Sequence, residues 1–129
     1  MKLAYKHIID GDIVSYQWIA DELVGEKAGL KFALQACTLG ELDRVECRGY
    51  SDMDTHENFC CFHTQKEFAD GLDMVRKIDA DSIEVYLKLG DEEVNVRVGL
   101  STKEENWITV YGKEETVKKV SATIQKMLG

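Results

Sequence analysis

At 129 residues, with 44% hydrophobic and 31% charged side chains, the chain has the size and composition of one globular domain over residues 1–129, which argues against intrinsic disorder. Its 24 acidic residues against 16 basic ones give a net charge of -8, a field that repels nucleic acid and anionic membrane and favours a partner protein with a basic surface.

The N-terminal MKLAYKHIIDGD is interrupted by Lys6, His7 and Asp10 before an apolar run builds, so neither a secretion signal nor a membrane span is expected. A cytoplasmic location follows as the expectation, with the 4 cysteines as reduced thiols instead of a disulfide framework. Tyr5 to Ile9, turned by Asp10-Gly11, predicts a strand leading to Ile13. In SYQWIADEL, Tyr16, Ile19, Ala20 and Leu23 stand at helical spacing and predict a short helix. Leu30, Phe32, Leu34 and Ala36 alternate and predict a strand, although FALQAC fits a helix equally. TLGEL has the T-x-x-E pattern of a short helical turn, with Gly40 against it.

Val45 to Tyr50 and Glu57 to Phe62 are strand-like runs around the polar SDMDTH turn, a hairpin. Thr64 then opens a capping box with Glu67, and Phe68, Leu72 and Val75 supply an apolar stripe at i, i+4 and i+7. A helix over 65–77 is expected. From Ser82, Ile83, Val85, Leu87 and Leu89 alternate with Glu84, Tyr86 and Lys88; after Gly90-Asp91, Val94, Val96, Val98 and Leu100 alternate with Asn95, Arg97 and Gly99. WITVY adds a third strand, with Ile108 and Val110 on one face and Trp107, Thr109 and Tyr111 on the other. Val117, Val120, Ile124 and Leu128 recur at helical intervals after Glu114, with acids early and lysines late, as a helix dipole prefers. The fold class is therefore α+β: a mostly antiparallel sheet built from a hairpin, a helix, a three-stranded meander and a C-terminal helix, with the helices on one face. A parallel crossover from 57–62 to 83–89 through helix 65–77 makes those two strands point the same way.

HENFCCFHT places Cys60 and Cys61 between His56 and His63 and poses a metal question. In a strand, adjacent side chains point to opposite faces, so the two thiols do not converge on one ion. Paired C-x₂₋₄-C turns of the kind a structural zinc site uses are also absent from the sequence. No metal or cofactor is expected, and Cys60 with Phe62, or else Phe59 with Cys61, should fill a core. SDMDTHEN opens like a calcium loop in its D-x-D but lacks the glycine and the closing glutamate. No G-x-S-x-G, G-x-x-x-x-G-K-[ST], G-x-G-x-x-G or H-E-x-x-H occurs, so no enzyme is expected.

What remains is surface chemistry. Strand direction gathers the 51–56, 79–81 and 101–106 connections at one end of the sheet, bringing Asp52, Asp54, Glu57, Asp79, Asp81, Glu104 and Glu105 together. Asp91, Glu92, Glu93, Glu114 and Glu115 gather at the other end. Asp52, Asp54, Glu57, Glu104 and Glu105, with Trp107 as an aromatic anchor, form the candidate partner-binding surface of a small binding or inhibitory module, like an immunity protein or a phage-encoded inhibitor of a defence protein. The alternative is a small-ligand or metal binder, or a small enzyme, using segment 56–63.

Overall fold

In a computed structural model that describes residues 1–50, 57–100 and 105–129, except for the side chains of Tyr50, Glu57 and Glu105, the strands form one seven-stranded antiparallel sheet. In chain order the elements are β1 (Lys2–Asp10), β2 (Ile13–Val24), α1 (Glu26–Ala36), β3 (Glu41–Tyr50), β4 (Glu57–Phe62), α2 (Gln65–Asp70), α3 (Leu72–Lys77), β5 (Ser82–Leu89), β6 (Glu92–Gly99), β7 (Glu105–Lys113) and α4 (Glu114–Leu128). The strand order across the sheet is β1-β2-β7-β6-β5-β3-β4.

Alternation in the meander works as the sequence predicts, and the register carries it across the sheet. Val45, Val85, Val96, Val110 and Tyr16 stand side by side on β3, β5, β6, β7 and β2. A second row runs Cys60, Cys47, Ile83, Val98, Ile108 and Trp18. Both rows point to the face that the helices cover: α1 packs on β2, β5 and β6, α4 on β7, β2 and β6, and α2 on β4. Phe32 of α1, Phe68 of α2, Val75 of α3 and Ile124 of α4 close one continuous core over them. The apolar stripe of α4 buries Val117, Val120 and Ile124 as its spacing predicts.

Residues 15–23 are a strand, not the predicted helix. Val14, Tyr16, Trp18 and Ala20 face the core at period two, and a bulge between Ala20 and Val24 then turns Leu23 inward. Period two plus one bulge mimics the helical set Tyr16, Ala20, Leu23; Ile19, assigned to the same stripe, is 38% exposed on the other face.

The segment 30–36 is helix, not strand. Gly29, Leu30, Phe32, Ala33 and Ala36 are all buried, and the space at Gly29 is tight: a Cβ there would meet the Leu100 side chain and lie 3.1 Å from the Asn106 amide. TLGEL makes no second helix. Thr38 and Leu39 continue α1 as a turn, donating to Gln35 O and Ala36 O, and Glu41 begins β3.

The capping box at Thr64 is present: its hydroxyl accepts from the Glu67 N–H at 3.0 Å, and Glu67 Oε2 accepts from the His63 N–H at 3.0 Å. The single helix expected over 65–77 is broken in two at Gly71, whose backbone (φ -98°, ψ 12°) leaves the helical conformation and whose missing Cβ makes room for the Phe62 ring. Phe62 in turn packs against Phe68, ring centroids 5.6 Å apart. Strands β4 and β5 do point the same way, but they are not neighbours; β3 lies between them, antiparallel to both. Among the described residues, no helix is long and apolar enough to cross a membrane.

Candidate functional site

Among the described residues, all the helices lie on one side and the opposite face of the sheet is uncovered. The residues out of phase with the core define it in rows: Cys61, Glu46, Glu84, Arg97, Thr109, Gln17 and Tyr5 in one, Arg44, Tyr86, Asn95, Tyr111, Ser15 and His7 in the next. A fully solvated strand face is commonly filled by lysine, threonine and serine; this one interleaves arginine with aromatic rings.

Each of three arginines on this face is stacked on a ring. The Arg44 guanidinium carbon lies 3.8 Å from the Tyr86 centroid, Arg48 lies 5.0 Å from Phe59, and Arg97 lies 5.7 Å from Trp107. Two of them also share one carboxylate: Arg44 Nε donates to Glu46 Oε2 at 2.7 Å, and Arg48 donates to Glu46 Oε1 at 2.6 Å. Burial pushes the Glu46 carboxyl up, but the bonds from Arg44 and Arg48 outweigh it and hold the pKa below the ordinary value. The triad draws both guanidinium groups to one carboxylate on the sheet, where they present flat, amphipathic surfaces. Two shallow depressions of about 280 and 300 Å³ meet at Asn95, one lined by Glu84, Arg97, Thr109 and Tyr111, the other by Asp43, Arg44, Tyr86 and Glu93.

Trp107 lies on this uncovered face, opposite Ile108 and Val110, as its position in WITVY predicts. It is half-buried against Gly99 instead of standing free. Asp52, Asp54 and Glu104 fall outside the described residues. The backbone places Glu57 and Glu105 at the starts of β4 and β7, at the same end of the sheet as Asp79 and Asp81. There the 79–81 segment is tied down: the Asp81 N–H donates to Arg48 O, and the Leu100 N–H donates to Asp81 O. Four strand spacings separate β4 from β7, roughly 19 Å. That exceeds the Debye length of about 8 Å at physiological salt.

At the opposite end, Asp12, Glu92, Glu114 and Glu115 line a cleft of about 540 Å³ together with Lys113 and Lys119. Two of its acids are paired: Lys113 reaches Glu92 at 3.0 Å, and Lys6 reaches Glu114 at 2.8 Å.

The Cys/His segment divides as strand alternation requires. Cys60 faces Cys47 and the core, while Cys61 lies beside Glu46 on the uncovered face. Of the two packings weighed from the sequence, Cys60 with Phe62 is the one adopted. All four thiols are free; burial pushes Cys37 up to about 11 and raises Cys47 still further. Raised thiols make poor nucleophiles and poor metal ligands at neutral pH. His56 falls outside the described residues, and His63 is exposed beside the Thr64 cap.

The arginine–aromatic stacking is not legible in the sequence. Alternation puts Tyr86, Arg97 and Tyr111 on the outward phase of their strands, but which neighbouring strand brings Arg44 to Tyr86 depends on the β3–β5 pairing, and no local pattern encodes that. No protein-family model matches this chain, and no curated protein and no solved structure matches it.

Proposed function

We propose that this chain is a binding module, of the inhibitory or immunity kind, that docks a partner protein on its uncovered sheet face. The observation that supports this is the composition of that face: Phe59, Tyr86, Trp107 and Tyr111 interleaved with Arg44, Arg48 and Arg97, a set enriched in the centres of protein interfaces. Ring-stacked and ion-paired arginines lose little conformational freedom on binding, so more of the contact energy appears as affinity. The net charge of -8 adds long-range attraction for a basic partner and disfavours direct binding to nucleic acid. Trp107 is the anchor, at the end of the face where β4 and β7 begin at Glu57 and Glu105; Asp52, Asp54 and Glu104, outside the described residues, are read from the sequence as adding to that field. On this reading the module is not an enzyme and works in the cytoplasm.

A photo-crosslinking residue placed at Tyr86 or Tyr111, compared with one at Lys126 on α4, tests the assignment in cells that naturally hold the protein. A discrete adduct to one protein from the two sheet positions, missing from the helix position, is the expected result. The same pattern of adducts from all three positions removes the face as the docking surface.

A further inference from the structure

Strand β1 is exposed along its whole length, on both of its faces, and forms one edge of the sheet. Among the described residues it pairs only with β2, which leaves one row of its backbone N–H and C=O groups without a strand partner there. Leu3, Tyr5, Ile8 and Ile9 are 43, 59, 72 and 52% exposed on it. A long apolar edge strand that contributes nothing to its own core is a template for pairing.

The charges on the strand identify what pairs there. In an acidic protein, β1 is locally basic at its start and acidic at its end: Lys2 and Lys6 precede Asp10. An antiparallel partner with the same sequence meets these charges in reverse. A two-fold axis perpendicular to the sheet keeps each side chain on its own face, and centring it on Lys6 sets Lys2 opposite Asp10 at both ends. The same register brings Tyr5 opposite His7. These two already stack within the strand, centroids 5.8 Å apart on the uncovered face, so four rings gather around the axis. Lys6 meets its own copy, but each Lys6 is drawn toward the helix side by its ion pair with Glu114 at 2.8 Å. Register shifts leave Ala4 and Ile9 as bulges, and the regular run Tyr5–Ile8 between them supplies the ladder at the axis.

We propose that β1 is a homodimer edge: two copies join antiparallel through β1 about a two-fold axis at Lys6, making one continuous sheet with both uncovered faces on the same side. This is independent of what the faces bind. The competing possibility is an edge merely guarded by its lysine and bulges.

Sedimentation velocity on the full chain over a wide concentration series, at fixed ionic strength, decides between them. The parent should show a concentration-dependent dimer. Lys2→Asp and Asp10→Lys should each weaken it by about tenfold or more, because two cross-strand pairs turn from attractive to repulsive. An equal mixture of the two variants should dimerise again, since each then offers the charge the other lacks. Unchanged thermal melting of each variant shows that the fold is intact. A parent that stays monomeric throughout, or a dimer that neither variant weakens, overturns the proposal, and a mixture that fails to recover overturns the register.

Discussion

The indole of Trp107 lies directly over Gly99, so close that a Cβ at position 99 would overlap the ring. Glycine is used there for space, since the neighbouring strand must let a large ring lie flat. With Arg97 5.7 Å from the ring on the same strand as Gly99, the tryptophan is held on the sheet with one side still available. Gly99→Ala should lift the indole off, red-shifting its emission in a Trp18→Phe background and costing about 1–3 kcal/mol, as overpacking does. Emission and stability both equal to the parent would mean that the ring moves aside freely.

The core rows make a second expectation quantitative. Phe68 and Ile108 are fully buried, one under α2 and the other at the centre of β7. Truncating either to alanine should cost about 3 kcal/mol in urea denaturation, within the range for large apolar side chains. A loss below about 1 kcal/mol for both would show that the core collapses around the gap.

Glu46 gives the fold an acid-sensitive point. Its pKa in the folded state lies below the ordinary carboxyl value of about 4.3. A depressed carboxyl contributes stability that is fully present above the unfolded value and is lost as pH falls through the folded one. Glu46→Gln should therefore be less stable than the parent at neutral pH, by about 1 kcal/mol because Arg44 and Arg48 remain partly in water. The two proteins should converge as pH drops below about 4. Parallel stability curves from pH 7 to acid would show that the triad carries no net proton linkage.

The parts of this architecture that were legible in the sequence share one physical property: each lies in a segment whose period is unbroken. Ser82 to Tyr111 alternates over three strands with short turns, and Thr64 carries its own cap, so local chemistry and tertiary packing agree. The predicted helix over 15–23 and the strand reading of 30–36, where a helix fits the sequence equally, break down where that agreement fails. The bulge after Ala20 shifts Leu23 by one position, and the breadth of the buried face on α1 draws in Leu30 and Phe32 together, which looks like alternation. The uncovered face is half legible: outward residues follow from inward ones, but the stack of Arg44 on Tyr86 depends on strand neighbours far apart in sequence, and that of Arg48 on Phe59 on the register of the β3–β4 hairpin.

The four thiols should react in order of their surroundings. Cys61 stands on the uncovered face, Cys60 packs at the margin of the core, and Cys37 and Cys47 are buried. Burial raises the pKa of every one of them, so alkylation at pH 8 should be slower throughout than for a free cysteine. Peptide mapping of a time course should find Cys61 modified first, and Cys37 and Cys47 modified only under denaturing conditions. Early modification of Cys47 would require the β3–β4 edge to open in the native state.

Docking on the uncovered face separates two contributions that kinetics can measure apart. The sequence reads Asp52, Asp54 and Glu104 as part of an acidic field, so changing all three to their amides should act on encounter: the on-rate for a recovered basic partner falls, and the parent's dependence on salt weakens. Trp107 acts by contact. Its half-buried ring, already positioned by Gly99 and Arg97, needs little ordering on binding, so Trp107→Ala should leave the on-rate nearly unchanged and speed dissociation. Both variants should stay folded by circular dichroism, because neither change reaches the Val45–Val85–Val96–Val110 row. Surface plasmon resonance at two ionic strengths resolves the two effects. If both variants match the parent in both rates, the tryptophan and the acidic end take no part in recognition, and docking on this face must rest on the arginine–aromatic stacks around Tyr86 and Phe59 alone.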